Sequence, residues 1–143
     1  MAGDFGIGGD AMEMLSPHFG LDECKCPCCG LLNVSPALLR LAEKIRAQLK
    51  APMHVHSVCR CVSHNREVGG RPKSRHLLGH AMDFHVPGLS PQATYNAIIK
   101  MWHDGKLPEL GGVFVYDWGV HIDIDHADDG HLRRGDYRKG ARA

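Results

Sequence analysis

The sequence lacks an apolar run long enough for a membrane-spanning helix, and it contains no internal repeat or low-complexity block. It also has little net charge, because 17 lysines and arginines face 16 acidic residues and leave a formal charge of +1. This near balance argues against a nucleic-acid-binding protein that works through a broad basic field. We therefore expect no membrane insertion and no nucleic-acid partner, and the oligomeric state stays open.

A secretion signal is also missing. Residues 1–10 are rich in glycine and carry neither the basic cluster nor the apolar run of a signal peptide. We expect the protein to be made in the cytoplasm and to reach any substrate outside the cell by another route. Residues 1–14 are predicted to be a flexible leader, and residues 133–143, where basic side chains gather, a basic tail.

The 143 residues, 43% of them hydrophobic, fit one domain, which we place at residues 15–132. Ser35-Pro36 predicts the start of a helix over residues 36–50. Ser90-Pro91 predicts the start of a second helix, which runs to about Trp102. Residues 62–73 are expected to form a long surface loop. Alternating polar and apolar residues predict strands at 53–58, 80–86, 113–116 and 119–124. The sum is an α+β domain, a small antiparallel sheet with helices packed on one side.

Six cysteines fall into two groups along the chain: Cys24, Cys26, Cys28 and Cys29, then Cys59 and Cys61. Without a secretion signal, disulfides are not the default for such a cluster. Cys26 and Cys29 form one Cys-x-x-Cys pair, but the pattern is not that pair repeated twice. Two interpretations stay open: partly buried thiols that pin an N-terminal loop, or a second, structural zinc.

The chain contains 11 histidines, and the spacing of two of them relative to acidic residues indicates a metal site. Between Ser74 and Asp83, alternation on a strand places Gly79, Ala81 and Asp83 on one face, where two small residues leave room beside a carboxylate. His76 stands just before this strand. A loop can bring its imidazole to the same metal.

A second segment supplies the remaining ligand. Along residues 120–125, His121, Asp123 and Asp125 alternate with three core residues and share the opposite face. His76, Asp83 and His121 would leave zinc a fourth position for water, as catalytic zinc sites do. Zinc lowers the pKa of such a water and polarises a carbonyl. The alternative is a solvated sheet face with His76 in a loop.

The segment Ser74-x-His76-x-x-Gly79-x-Ala81-x-Asp83 resembles the SxHxxGxAxD signature of the M15 peptidases, which are zinc D-Ala-D-Ala carboxypeptidases and endopeptidases. Their fold is shared with the hedgehog signalling domain. His121-Ile122-Asp123 is similar to the HxD strand of the phage-type and murein-endopeptidase branch. Residues 15–23 and 65–70 also resemble that branch, so the similarity runs from about residue 15 to 124.

The resemblance implies roles for single residues. His76, Asp83 and His121 would be the zinc ligands. Arg60 matches the arginine of the family's SGYR segment and would bind a substrate carboxylate or carbonyl, a task that suits its forked donors. Ser74 would orient the substrate near the metal.

The sequence departs from the family pattern at two places. Val58 and Cys59 stand where the family has Gly and Tyr, which removes a hydrogen-bond donor beside the transition state. Trp118 stands three residues before His121, where several relatives have an acidic residue. We therefore take Asp123 as the first choice of general base and Asp117 as the alternative.

These observations predict a zinc peptidase that hydrolyses peptide bonds in peptidoglycan stem peptides or cross-bridges. The setting would be an endolysin released by the phage lysis machinery, an enzyme carried in the virion, or a wall-remodelling factor. Two alternatives remain. One is a non-catalytic zinc-containing binding module, as in the hedgehog branch, and the other is a virion structural module that binds a partner through its cysteines.

Overall fold

The computed structural model describes residues 13–139. Most of the expected leader, residues 1–12, and the end of the expected tail, residues 140–143, lie outside this range. Met14, the last residue of the expected leader, begins the first strand. No helix in the range described is both long and apolar enough to span a membrane.

The described residues begin with a small hairpin, which two helices follow. Strands β1 (Met14–Ser16) and β2 (Phe19–Gly20) pair antiparallel, and helix α1 (Leu21–Cys24) follows directly. Helix α2 (Pro36–Leu49) begins as predicted, because the Ser35 hydroxyl accepts a hydrogen bond from the Ala37 N–H and proline occupies the first turn.

Five strands form the main sheet, in the order β3-β4-β6-β5-β7. Their bounds are β3 (His54–Ser57), β4 (Ala81–His85), β5 (Gly112–Tyr116), β6 (Gly119–Asp123) and β7 (Arg133–Asp136). The connections contain helix α3 (Val62–Glu67), a 3₁₀ helix (Arg75–Leu78) and helix α4 (Pro91–His103). The first four strands pair antiparallel, and β7 runs parallel to β5.

The two faces of this sheet differ in composition. Met82 and Phe84 of β4 and Val120 and Ile122 of β6 are fully buried in the hydrophobic core, which they share with α2 and α4. Because side chains alternate along a strand, the residues between them point to the opposite face. The predicted α+β class is therefore confirmed, and the face away from the two long helices is left for polar residues.

Two segments differ from the sequence prediction. Residues 62–73 were expected to be a loop, but they contain α3. The Cys61 thiol caps the first turn of this helix, because it accepts a hydrogen bond from the His64 N–H at 3.4 Å. The basic tail predicted from residue 133 begins instead with β7. Its pairing makes the sheet mixed rather than purely antiparallel, and the Arg133 N–H donates to the Gly111 carbonyl at 3.1 Å.

Candidate metal centre

Three side chains from separate elements meet on the polar face of the sheet. The register of β4 and β6 sets Asp83 directly opposite His121. The 3₁₀ helix carries His76 to the same place. One ligand atom from each of the three residues lies within 4.8 Å of the others. His76 and Asp83 are only 2% and 7% exposed, so the cluster is largely shielded from solvent.

The His76 ring is oriented by the backbone. Its Nδ1 lies 2.8 Å from the Val58 carbonyl oxygen. A carbonyl can only accept, so Nδ1 carries the proton and Nε2 offers a lone pair. Nε2 lies 3.1 Å from Asp83 Oδ2, but the pair is not aligned for a hydrogen bond, and Nε2 has no other partner in the range described. A buried lone pair beside a carboxylate fits a bound cation.

His121 is held between two carboxylates. Its Nδ1 is 2.9 Å from Asp83 Oδ1, and its Nε2 is 3.0 Å from Asp123 Oδ2. Burial alone would lower the pKa of His121, but the hydrogen bonds to Asp123 and Asp83 outweigh it and raise the pKa to about 9. Burial would raise the pKa of Asp83, yet its contacts with His121 and His76 hold that pKa well below the usual range.

Asp123, the first choice of general base, lies behind the cluster. It is completely buried, and its Oδ1 accepts hydrogen bonds from Arg133 Nη1 at 2.7 Å and from the Asp125 N–H at 3.1 Å. Burial would raise the pKa of Asp123, but the hydrogen bonds from His121 and Arg133 lower it. Gly112 makes room for this pair, since a Cβ there would come within 2.7 Å of Arg133 Nη1 and 2.8 Å of Asp123 Oδ2.

Gly79 has a different place from the one expected. It was predicted to share the strand face of Asp83, but it ends the 3₁₀ helix in the left-handed conformation, with φ of 69°. A Cβ would lie 2.0 Å from the Asn33 carbonyl oxygen. The residue is thus fixed by a tight turn and a close backbone approach, which set the direction of the chain between His76 and β4. Ala81 does share the face, where it pairs with Asp123.

Arg60 and Ser74 both border the cluster. Arg60 donates to Ser57 Oγ at 3.1 Å, Asn65 Oδ1 at 3.1 Å and Asp83 Oδ2 at 3.3 Å. These bonds use three of the five N–H groups of the guanidinium. The Ser74 hydroxyl accepts from the His76 N–H at 3.2 Å and so caps the 3₁₀ helix.

A pocket of about 490 Å³ opens over the three side chains. Asp83 is the only acidic residue that lines it in the part of the chain described, whereas five cationic residues do: Arg60, Arg71, Lys73, Arg75 and Arg133. One wall is aromatic. Tyr116 stacks on Trp118, with ring centroids 5.0 Å apart, and on Tyr137 at 5.3 Å. The sequence interpretation missed this wall, although Phe114 and Tyr116 alternate with Val113 and Val115 along β5.

The two predicted base residues do not line this pocket. Asp123 is closed off behind His121. Asp117, the alternative, is exposed in the turn between β5 and β6, where its carboxylate accepts a hydrogen bond from the Lys139 N–H at 3.3 Å. It lies in the chain between two residues that do line the pocket, Tyr116 and Trp118.

Comparison with known families decides the affiliation. The family model described as Peptidase M15 matches residues 17–123, which include all three clustered side chains. The chain belongs to the M15 peptidase family. A search of curated proteins finds no match to it.

M15 peptidases are zinc enzymes, and the residues present fit such an ion. Two imidazole nitrogens and a carboxylate oxygen are a donor set that catalytic zinc sites use. Val58 and Cys59, which replace the family's Gly and Tyr, are buried in the core and do not line the pocket. In this M15 peptidase, Tyr116 brings a phenol to the pocket from β5 instead.

Proposed function

We propose that the protein is a zinc-dependent peptidase that hydrolyses peptide bonds in the stem peptides or cross-bridges of peptidoglycan. The observation that carries the proposal is the meeting of His76, Asp83 and His121 at one pocket. Membership of the M15 family supports the same reaction class.

His76 Nε2, His121 Nδ1 and an Asp83 oxygen would hold the zinc. The Val58 carbonyl and the Asp123 carboxylate would accept the protons of the other ring nitrogens, so that each ring would offer a lone pair to a bound metal. A bound zinc supplies an acidic water and an electrophile for the scissile carbonyl. Asp123 then acts as a positioning residue for His121.

The charge of the pocket supports a substrate that bears carboxylates. Stem peptides of peptidoglycan carry several, from D-glutamate, from the diamino acid where it is diaminopimelate, and from the terminal D-alanine. Arg60 has two N–H groups beyond its three hydrogen bonds. With Arg71 and Lys73 it can receive a planar carboxylate, and Ser74 lies beside them to orient the chain.

Tyr116 lines the pocket, and we assign its phenol as the donor to the oxygen that gains charge in the transition state. Burial raises the pKa of Tyr116, and the nearby charge of Asp83 raises it further, so the phenol keeps its proton. A donor of this kind stabilises a developing oxyanion. Of the two candidate proton acceptors, Asp123 is already hydrogen-bonded to His121 and Arg133. We therefore assign the role to the other, Asp117.

Digestion of purified peptidoglycan, followed by mass spectrometry of the muropeptides, tests the proposal. The zinc-loaded protein should give products with one peptide bond cleaved, and the mass change names that bond. His76→Ala should give none, whereas His103→Ala, at the exposed end of α4, should match the wild type. Zinc-loaded wild type that leaves every muropeptide intact would overturn the proposal.

One observation favours a non-catalytic binding module as the second candidate. No carboxylate apart from Asp83 lines the pocket within residues 13–139, so a proton acceptor is not at hand there. In that case zinc-loaded protein would bind muropeptides in equilibrium measurements and release no new amines. Turnover and binding are measured on the same sample, so the two candidates separate in one experiment.

We further propose that the enzyme acts on the cell wall after release by phage lysis machinery or as part of a virion. The similarity of residues 15–23 and 65–70 to the phage-type branch supports this setting. Added from outside to bacteria with a permeabilised outer membrane, the protein should lower their turbidity. His76→Ala should leave the turbidity unchanged.

A further inference from the structure

We propose that Cys26, Cys29 and Cys61 bind a second zinc ion, which fixes the segment that carries Arg60. The proposal concerns a site apart from the His76, Asp83 and His121 cluster and does not depend on the reaction that cluster performs. Its ligands come from two parts of the chain, since Cys61 follows Cys26 by 35 residues.

The three sulfur atoms converge. One Sγ from each of Cys26, Cys29 and Cys61 lies within 4.8 Å of the others, the spacing expected of ligands around one ion. Cys26 is fully buried, Cys61 is half-buried and Cys29 is exposed, so the group sits at the surface with one edge open. The only other such group in the part of the chain described is the catalytic one.

Backbone amides are aimed at these sulfur atoms. The Cys61 N–H donates to Cys26 Sγ at 3.4 Å. The His64 N–H donates to Cys61 Sγ at 3.4 Å. Donors that point at sulfur suit a thiolate, which is the form of cysteine that binds metal.

The loop between the first two ligands is folded tightly enough to present both. The Gly30 N–H donates to the Cys26 carbonyl at 2.8 Å, and the Cys26 N–H donates to the Leu31 carbonyl at 2.8 Å. Gly30 has φ of 80°, a left-handed conformation that glycine adopts without strain. Residues 26–30 thus form a turn whose two thiols face the same side.

The exposed thiol of Cys28, in the same loop, is the candidate for a fourth ligand. Its Sγ is not among the three that lie within 4.8 Å of one another, so its side chain would have to turn toward the ion. Zinc in structural sites is almost always bound by four ligands in a tetrahedron, and four thiolates are a common set. We therefore assign Cys28 to the fourth position. Each thiol gives up its proton to the solvent on binding.

The position of Cys61 connects this site to the catalytic one. Cys61 follows Arg60, whose guanidinium holds Asp83 Oδ2 at 3.3 Å and whose N–H donates to the His76 carbonyl at 3.2 Å. Two residues earlier, the Val58 carbonyl orients the His76 ring. A metal that anchors Cys61 to residues 26–29 would therefore fix the backbone on which two parts of the catalytic cluster depend.

Metal analysis of the full-length protein, purified under reducing conditions, tests the assignment. We expect about two zinc ions per chain in the wild type and about one in Cys29→Ser, an exposed position where serine is tolerated. Cys24→Ala, which removes a buried thiol outside the group, is the matched control and should keep two. His76→Ala should keep the cysteine-bound ion.

Cobalt replacement provides a readout that does not need activity. Tetrahedral thiolate–cobalt gives an intense near-ultraviolet charge-transfer band, which should persist in His76→Ala and vanish in Cys29→Ser. Cys29→His should restore metal binding with a weaker band, since one thiolate is replaced by nitrogen. Full zinc content in Cys29→Ser would overturn the proposal. So would four instead of six titratable thiols in the denatured, chelated wild type, because that reveals a disulfide.

Discussion

His121 donates from Nε2 to Asp123, while its Nδ1 faces Asp83 on the other side of the ring, at 3.0 and 2.9 Å respectively. The two carboxylates differ in what lies beyond them. Asp83 faces the pocket, whereas Asp123 is completely buried and bonded to Arg133. We infer that the first serves as a ligand and the second sets the ring direction.

Asp123→Asn should weaken zinc binding more than it changes the chemical step. Loss of a carboxylate that orients a zinc ligand costs about 10- to 100-fold in metal affinity. Competition with a chelator of known affinity measures it, and Asp104→Asn, an exposed acid at the end of α4, is the control. Activity that stays lost at saturating zinc, together with loss of the acidic limb of the pH profile, would instead assign the general base to Asp123.

Asp117→Asn tests the remaining candidate for the proton acceptor. If Asp117 accepts the proton, kcat should fall by about 10²-fold or more with zinc affinity unchanged, since general base catalysis contributes on that scale. The acidic limb of the pH profile should flatten as well. Unchanged kcat would remove Asp117 from the mechanism. The zinc affinity measured alongside shows whether any loss arises at the metal instead.

Arg60→Lys should lower kcat/KM by about 10- to 100-fold, the equivalent of one or two charge-assisted hydrogen bonds. Lysine keeps the charge, but it has no planar fork with which to bond Ser57, Asn65 and Asp83 together. Steady-state kinetics on a defined stem peptide provides the measurement. Arg66→Lys, on the exposed face of α3, should behave as the wild type, and an Arg60→Lys enzyme with full kcat/KM would contradict the role.

Tyr116→Phe removes one hydroxyl and keeps the ring that stacks on Trp118. If the phenol donates to the transition state, kcat should fall by about 10²-fold while KM changes little. Tyr95→Phe, in the partly buried part of α4, controls for loss of a hydroxyl elsewhere. A change confined to KM would show that Tyr116 contacts the bound substrate only.

Zinc binding should depend on pH through His121. Its pKa in the metal-free protein is raised from 6.5 to about 9, so below that pH the ion must displace a proton. The apparent affinity should rise about tenfold per pH unit below about pH 9 through this residue. Affinity that is flat in this range would show that the ring is already neutral.

The same shift predicts the pH dependence of metal-free stability. A raised pKa means that the charged ring stabilises the folded state, fully below about pH 6.5 and progressively less as the pH rises through about 9. The melting temperature of the chelated protein should therefore fall over that range. His121→Gln should show a smaller fall.

Strand alternation predicted much of the fold and the grouping of the clustered residues. Asp83 and His121 each stand between core residues in the sequence, and a period of two places both on the polar face. The sequence also predicted the starts of α2 and α4, because Ser35 and Ser90 are N-caps followed by proline. The α+β class followed from these local patterns, whereas the M15 affiliation followed from the resemblance of residues 74–83 and 121–123 to the family's signature.

Contacts between distant residues account for what the sequence did not predict. Strand β7 has no apolar alternation, and its place depends on pairing with β5 and on Arg133 reaching Asp123. The sequence indicated that Asp123 is an accessible base, because polar and apolar residues alternate along residues 120–125. No local pattern shows that Arg133, 10 residues later in the chain, bonds this carboxylate and helps to bury it.

The parallel strand β7 extends the functional unit beyond the segment that the family model matches. The match ends at residue 123, and His76, Asp83 and His121 all lie inside it. A chain cut after Leu132 would keep those three side chains but would lose Arg133, the counter-ion of the buried Asp123 carboxylate. Removing one partner of such a buried pair lowers the free energy of unfolding by about 3–5 kcal/mol. Any transplant of this catalytic domain into a fusion enzyme should therefore retain the sequence through Asp136.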